Sequence, residues 1–178
     1  DVDSGIGLAI SDDGTSFKRL GNGPVLTASL DEPFLVIDGF VRKFINSFYM
    51  FYIFGKKWSS NTPVPERVYK IAYACSDDGI SWKKNGRQII PDKIGENECQ
   101  ALPTVIKIGT RYHMYFCYRN MEGFRTQKQN AYRLGYAYSD DLINWIRQDD
   151  DAGISFSGSG WDSDMMCYPN LFSVKNRV

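Results

Sequence analysis

The chain combines a one-domain length with balanced charge and many aromatic side chains. Its 178 residues are enough for a substantial core. Lys plus Arg and Asp plus Glu each number 21, so no basic field is present to attract nucleic acid or anionic lipid. Aromatic residues make up 15% and suit a pleated, half-buried surface. The composition therefore predicts an all-β protein with no polynucleotide partner.

Targeting and metal-binding signals are also missing from the sequence. No apolar run reaches the roughly 18 residues of a membrane span, and the first residues, "DVDSGIGLAI", do not resemble a signal peptide. The cysteines lack C-x-x-C spacing, and the single histidine, His113, has no partner at a zinc-ligand spacing. We therefore expect a soluble, cytoplasmic protein with buried thiols, no membrane contact, no metal and no cofactor.

A sequence repeat organises the whole chain. The segment "SDDGTSFKR" begins at Ser11, "SDDGISWKK" at Ser76 and "SDDLINWIR" at Ser139, so the copies recur at a nearly constant interval. Ser and Asp side chains can bond to their own backbone and shape a turn, which is the role we expect for the aspartates of these copies. The aromatic residue that follows each turn is expected to plug its sheet; these residues are Phe17, Trp82 and Trp145.

A second series places Pro33, Pro103 and Pro169 in "DEPFLV", "ALPTVI" and "CYPNLF" with a similar spacing. Each repeat unit would begin at a proline strand and end at an SDD turn. Alternating apolar runs between the two predict four antiparallel strands per unit. A four-stranded sheet repeated at this period is typical of a β-propeller blade.

The repeat predicts that residues 1–178 form one incomplete β-propeller domain, which it divides into blades. Residues 1–30 would end one blade, 31–96 and 97–160 would form two complete blades, and 161–178 would supply the inner strand of the next. A closed ring needs roughly four to eight blades. About three blades leave open edges that favour association, so either a longer polypeptide or a second copy of the chain would complete the ring.

These turns and proline-led strands resemble those of the five-bladed β-propeller glycosidases, which include invertase-like, arabinanase, levansucrase and mannoside phosphorylase families. The run "YRLGYAYSDDLINWIRQDDDAGISFSGSGWDSDMMCYP" is similar to glycosidase-like propellers of bacterial surface-polysaccharide gene clusters. The sialidase Asp-box differs from "SDDGISW" in its spacing. The resemblance implies an active-site funnel on the propeller axis, lined by the first residues of each inner strand, and a carbohydrate substrate.

The resemblance also implies which carboxylates are catalytic. Cleavage of a glycosidic bond requires one carboxyl group as acid and a second as nucleophile or base. Asp31 or Glu32 in "DEPF" would take the place of the stabilising Asp in the invertase-like "RDP". Glu98 in "ECQALP" would take the place of the acid in their "ECP". Asp164 precedes Pro169 by five residues, as Glu98 precedes Pro103, and is the third candidate.

Further candidates would bind the substrate. Trp161 and Asp162 accompany Asp164, and a Trp at a funnel mouth can stack on a sugar ring, although packing within a blade explains it equally well. The longest polar loop follows Arg119 and includes Arg133; arginine forks suit a carboxylate- or phosphate-bearing sugar. Lys57 lies in the matching loop of the preceding blade.

The function predicted from the sequence is glycoside hydrolysis in an oligosaccharide or surface polysaccharide, with Glu98 as general acid, Glu32 and Asp164 as supporting carboxylates and Arg119 as a substrate clamp. Two alternatives remain open. The first is a glycoside phosphorylase of the same fold, and the second is a carbohydrate-binding propeller without catalysis.

Overall fold

The computed structural model describes residues 3–59, 65–175 and 177–178. The regular structure is almost entirely β, as predicted. Short 3-10 turns occur at Lys128–Asn130, Asp149–Ala152 and Gly160–Asp162. The strands are Ala9–Ile10 (β1), Lys18–Arg19 (β2), Val36–Phe44 (β3), Ser47–Ser59 (β4), Glu66–Ser76 (β5), Lys83–Lys84 (β6), Glu98–Ile108 (β7), Arg111–Asn120 (β8), Arg133–Ser139 (β9) and Ile146–Arg147 (β10).

Two four-stranded antiparallel sheets dominate the structure. Their orders are β3-β4-β5-β6 and β7-β8-β9-β10, and β1 pairs with β2 in a separate two-stranded sheet. Each four-stranded sheet runs in sequence order from an inner to an outer strand, which is the arrangement of a propeller blade. The predicted fold class is confirmed. None of the described segments forms a helix of the length and apolarity that crossing a membrane requires.

The three SDD turns share one hydrogen-bond pattern. In each, the Ser hydroxyl donates to the second Asp, whose carboxylate accepts backbone N–H groups beyond the turn; the pairs are Ser11–Asp13, Ser76–Asp78 and Ser139–Asp141. These backbone donors hold the pKa of each of these aspartates well below its usual range. Gly14 and Gly79 follow with φ of 74° and 75°, whereas the third copy places the buried Leu142 at φ 69°.

The main core lies between the two blades. Trp145 is buried there, and its ring meets that of Phe51 edge-on with centroids 5.7 Å apart. Trp82 is partly buried against the second core cluster, which lies between β3–β6 and residues 3–30. The plug prediction is wrong for Phe17, which is 67% exposed because no described sheet covers β1 and β2 on that side.

Both inner strands contain a β-bulge at the same step. The register of β3 shifts between Ile37 and Phe40, and that of β7 shifts between Ala101 and Thr104, one repeat interval further along the chain. Pro103 is therefore equivalent to Gly39. The predicted equivalence of Pro33 and Pro103 is wrong, since Pro33 precedes β3 altogether.

The described residues of 161–178 pack beside the second blade without forming a strand. The N–H of Leu171 donates to Thr104 Oγ1 at 3.0 Å, and that of Met166 donates to the Tyr132 carbonyl at 3.3 Å. A strand needs a hydrogen-bonded neighbour, and among the described residues this segment has only an isolated bridge between Val174 and Arg177. Its assignment to a further blade stays a prediction.

The four cysteines are free thiols. Cys99 and Cys117 are fully buried in the core between the blades, and Cys75 and Cys167 are partly exposed. Burial raises the pKa of Cys99, and it raises that of Cys117 to about 12. The two core cysteines therefore behave as small apolar residues.

Candidate functional site

Three residues with left-handed backbone conformation line one cleft. Asp38, Leu102 and Tyr168 have φ of 58°, 46° and 61° and recur at about the interval of the repeat. All three border a cleft of 820 Å³. Positive φ is uncommon for residues other than glycine, and such strained positions cluster at functional sites. The same step of successive repeat units therefore contributes one side chain each to a common cleft.

Of the three residues with left-handed backbone conformation, Asp38 carries a carboxylate. Burial raises the pKa of Asp38 above its usual range, although a hydrogen bond from the Leu102 backbone N–H and the charge of Arg67 act in the opposite direction. A carboxyl group with a raised pKa keeps its proton to higher pH and can give it to a ligand. The pKa of Asp38 is therefore shifted in the direction that favours proton donation.

One wall of the cleft is an ion-pair network around Phe124. Glu66 lies 2.9 Å from Arg125 Nη1 and 3.8 Å from Arg119 Nη2. The two guanidinium groups also contact the Phe124 ring, with their central carbons 3.5 Å (Arg119) and 4.1 Å (Arg125) from its centroid. Charge and stacking together hold this wall in place.

Aromatic side chains extend the lining. The hydroxyl groups of Tyr69 and Tyr132 are 3.2 Å apart, and Arg119 Nε donates to Tyr132 at 3.2 Å. The ring of Trp58 lies below Arg67, whose guanidinium carbon is 5.5 Å from the ring centroid. Apolar faces combined with a few fixed polar groups are characteristic of small-molecule sites.

Glu98 does not line the cleft. Its side chain is fully buried, and Oε2 accepts the backbone N–H groups of Lys93 and Ile94 at 2.8 and 3.0 Å. Oε1 accepts from Gln100 at 2.9 Å and from Arg147 at 2.6 Å. With both oxygens occupied and shielded, Glu98 has no access to a ligand in this conformation. Its role as general acid stays a prediction.

Glu32 is also buried and also pairs with a cation of the last strand in the preceding blade, although its other partner is a tyrosine hydroxyl. It is fully buried, accepts from the Tyr52 hydroxyl at 2.8 and 3.0 Å, and lies 2.6 Å from Lys84 Nζ. Lys84 and Arg147 are equivalent, because each lies eight residues after the Ser of its SDD turn. We call this pairing of a carboxylate at or just before the first strand of a blade with a cation on its last strand the junction brace. This pairing explains why the carboxylates of Glu32 and Glu98 are buried, with no need for a ligand.

Asp164 and its companions lie on the surface. Asp164 pairs with Lys128 at 2.5 Å, which lowers the pKa of its carboxyl group, and its carbonyl accepts from Arg133 Nη1 at 2.9 Å. Trp161 is 97% exposed, and Asp162 accepts a hydrogen bond from the Ser157 hydroxyl. The structure brings none of these residues to the lining of the cleft that contains Asp38.

The remaining candidates divide between cleft and surface. Arg119 lines the cleft, although its Nη1 donates to the carbonyls of Asn120 and Met121. Lys57 is a partly exposed residue 3.5 Å from Glu96, and Asp31 is exposed. Within the described ranges, no three His, Cys, Asp or Glu side chains are grouped as a metal site.

Asp38 is not among the site residues predicted from the sequence. The signal was the repeat interval: counting one interval back from Pro103 leads to Gly39, whereas the step from Pro33 to Pro103 is longer than the spacing set by the SDD turns. On the corrected alignment, Asp38 precedes Gly39 as Asp precedes Pro in "RDP". Ala101, two residues before Pro103, stands where "ECP" has its Glu.

Sequence comparison finds relatives about twice as long. An uncharacterised protein of Mycobacterium tuberculosis is 32% identical over 172 residues, which are 97% of this chain and 54% of that protein. The β-1,2-mannobiose phosphorylase of Thermoanaerobacter sp. (strain X514) is 30% identical over 136 residues, 71% of this chain and 43% of the enzyme. The chain thus spans about half the length of these curated relatives. No model of a known protein family matches it.

Solved structures of glycoside hydrolases share the fold. One glycoside hydrolase superposes with a TM-score of 0.65 and 21% identity, over 89% of this chain and 47% of its own. A family 32 β-fructofuranosidase of Bombyx mori superposes with a TM-score of 0.56 and 18% identity, over 80% of this chain and 29% of its own. The chain therefore has the β-propeller fold of these glycoside hydrolases, of which it spans less than half, and is related in sequence to a glycoside phosphorylase.

Proposed function

We propose that the chain forms part of an enzyme that cleaves a glycosidic bond in an oligosaccharide or polysaccharide, with the Asp38 cleft as the substrate site. The observation that carries the proposal is the convergence of Asp38, Leu102 and Tyr168 on one cleft from the same step of successive repeat units. The pKa of Asp38 is raised, which favours proton donation to a leaving oxygen. This role differs from that of the matching Asp in "RDP", which the resemblance makes a stabilising residue. The fold shared with glycoside hydrolases supports this chemistry.

Hydrolysis would need a second carboxylate across the scissile bond. Glu66 also lines the described part of the cleft, but it is engaged by Arg119 and Arg125. In a hydrolase, the partner of Asp38 would then be Glu66 after release from these arginines, or a carboxylate from another part of the ring. Glu32, Glu98 and Asp164 would have to leave their present partners to take that role.

Phosphorolysis is the second candidate, and the charge of the cleft favours it. Phosphate is itself a nucleophile, so one acid and a cationic cradle are sufficient. Three arginines line the cleft, Arg67, Arg119 and Arg125, against two carboxylates, Asp38 and Glu66. Arg119 and Arg125 are paired with Glu66, so phosphate would have to take its place. Arginine forks bind phosphate oxygens in pairs. The relative that is a β-1,2-mannobiose phosphorylase is consistent with this alternative.

The test compares Asp38→Asn with Glu98→Gln in assays of oligosaccharide cleavage, each with and without inorganic phosphate. Asn tolerates positive φ, so Asp38→Asn removes the acid and keeps the backbone. We expect loss of turnover by on the order of 100-fold or more in Asp38→Asn and a smaller change in Glu98→Gln. Sugar phosphate as product identifies phosphorolysis, and free sugar identifies hydrolysis.

Two results would contradict the proposal. Unchanged turnover in Asp38→Asn would remove Asp38 from the chemistry. The second result is saturable sugar binding with no turnover on any substrate and with equal affinity in the Asp38→Asn variant. It would support the remaining alternative, a carbohydrate-binding propeller without catalysis.

A further inference from the structure

The ion pairs in the wall of the Asp38 cleft connect the two blades. Glu66 is the first residue of β5 in the first blade, and Arg125 belongs to the loop between β8 and β9 of the second. Arg125 Nη1 donates to Glu66 Oε1 at 2.9 Å, and Arg119 Nη2 lies 3.8 Å from Glu66 Oε2. One carboxylate of the protein therefore lies between two guanidinium groups in the cleft that we assign to a carbohydrate.

Arg119 is the fixed half of this arrangement. Its side chain is only 4% exposed. Nη1 donates to the carbonyls of Asn120 and Met121 at 2.8 and 3.1 Å, and Nε donates to the Tyr132 hydroxyl at 3.2 Å. These hydrogen bonds orient the guanidinium group without help from Glu66, so Nη2 keeps its place in the wall if that carboxylate moves away.

Arg125 is the exposed half. Its side chain is 70% exposed and stacks on the Phe124 ring, with the guanidinium carbon 4.1 Å from the ring centroid. An ion pair with an exposed arginine contributes little to stability, because water competes for both charges. Glu66 can therefore separate from Arg125 easily, and an anion that arrives from solvent can reach the guanidinium group.

The Glu66 pairs differ in this respect from the junction brace. Both carboxylate oxygens of Glu98 accept hydrogen bonds, which are 2.6 to 3.0 Å long. Glu66 Oε2, in contrast, lies 3.8 Å from Arg119 Nη2, which is beyond hydrogen-bond distance. An anion that is not tied to the main chain of β5 can approach both arginines more closely than Glu66 does.

The charge of the cleft also favours an anionic ligand. The described lining contains Arg67, Arg119 and Arg125 against Asp38 and Glu66, although basic and acidic residues of the whole chain each number 21. Burial raises the pKa of Asp38, which reduces the negative charge of that carboxyl group at a given pH. A local excess of positive charge attracts anions into a cleft, whereas a neutral saccharide gains nothing from it.

We propose that Arg119 and Arg125 form a seat for an oxyanion of the ligand, which Glu66 fills until the ligand displaces it. This inference rests on the proposed function, since it takes the ligand to be a saccharide in the same cleft. The substrate class that fits is an acidic saccharide, because its carboxylate can replace that of Glu66 with the same planar geometry. Inorganic phosphate has the same oxyanion chemistry and would occupy the seat as a separate molecule in phosphorolysis. Glu66 is an internal competitor in both cases.

The test is isothermal titration of the complete protein with three probes, which are glucuronic acid, glucose and inorganic phosphate. Glu66→Gln opens the seat at nearly constant side-chain size and should tighten glucuronic acid binding by about 10-fold, as expected where the open seat is a minor state. Arg125→Gln should weaken the same binding by about 10-fold, because one charge-assisted contact is lost. Neither variant should change the affinity for glucose. A gain for phosphate alone in Glu66→Gln would identify free phosphate as the anion that exchanges with Glu66.

The control is Glu96→Gln, which removes a carboxylate from the exposed Lys57–Glu96 pair and should leave all affinities unchanged. Arg125→Gln alters an exposed side chain, so the comparison remains possible if Glu66→Gln misfolds. The proposal is overturned if neither anion binds more tightly to Glu66→Gln, if glucose gains equally, or if Arg125→Gln leaves anion binding unchanged.

These titrations require no turnover, so they separate the oxyanion seat from the proposed function. Exchange of an anion with Glu66 in a protein that cleaves no saccharide would contradict the proposed enzyme and leave the seat in place. Turnover that depends on Asp38, without any effect of Glu66→Gln or Arg125→Gln on anion binding, would contradict the seat and leave the enzyme in place.

Discussion

Glu98 and Arg147, far apart in the chain, form a buried ion pair with 2.6 Å between Oε1 and Nη1. Glu32 and Lys84 form the same pair in the preceding blade at the same distance. Glu98 and Arg147 lie on the first and last strands of one sheet, which are not neighbours in the hydrogen-bonded order, whereas Glu32 lies just before the first strand of its sheet and Lys84 on the last. The pair therefore fastens the two edges of a blade, and its carboxylate is explained by structure.

The buried pair predicts a graded loss of stability at position 147. Arg147→Met leaves the Glu98 carboxylate buried without its cation and should lower the free energy of unfolding by about 3–5 kcal/mol. Arg147→Lys should cost about 1 kcal/mol, because Lys84 serves the same purpose in the first blade. Urea unfolding measures both. Equal losses in the two variants would show that packing, not charge, determines the effect.

The left-handed backbone at position 38 separates two substitutions of similar size. Asp38→Asn keeps a residue that tolerates positive φ, whereas Asp38→Ala adds the full steric penalty and should be about 1 kcal/mol less stable than Asp38→Asn. Thermal unfolding of the two variants gives the difference. If Ala and Asn prove equal, the φ of 58° does not constrain this position in solution.

Asp38 also predicts a pH dependence of stability. Burial raises its pKa in the folded state, so the folded protein binds the proton more tightly than the unfolded chain, whose Asp has a pKa of about 3.9. The stabilisation from this group is complete below that value and is lost as the pH rises through the folded-state pKa. Wild type minus Asp38→Asn, measured by urea unfolding across this range, should slope downward with pH. An upward slope would mean that Arg67 and the Leu102 N–H outweigh burial.

The SDD turns predict a specific need for glycine. Gly79 has φ 75°, and an added methyl group would meet only Phe48 at ordinary contact distance, so Gly79→Ala introduces strain without a clash. We expect a loss of about 1 kcal/mol. Gly7→Ala is the matched control, because Gly7 has no positive φ and open space around it. Chemical denaturation of both variants should separate them, and a neutral Gly79→Ala would contradict the account of the turn.

Periodicity was sufficient to predict the fold. Alternating apolar runs and the spacing of Ser11, Ser76 and Ser139 follow directly from strand geometry and turn chemistry, and both are local properties of a sequence. The site depended on a bulge, which inserts one residue and shifts the register. Proline marks that step in "ALPTVI" but glycine marks it in "VIDGF", so alignment on proline selected Glu32 and missed Asp38.

The burial of Glu98 could not be predicted from the sequence alone either. A carboxylate at the start of an inner strand can point into the funnel or back beneath the loop that precedes it. The choice depends on Arg147, which is close only after the outer strand has folded against the sheet. Its tertiary partner, rather than its position in the strand, determines where this side chain lies.

At the bulges of Asp38 and Leu102, and at Tyr168, the main chain and the side chain have separate roles. Main-chain geometry fixes where each repeat unit presents its side chain, while the side chain itself differs in every unit: an acid, an aliphatic group and a phenol. Exchange at these three positions would alter what the cleft recognises while the turns and braces stay untouched. A scaffold of this kind can diversify its ligands through single substitutions, at little risk to its folding.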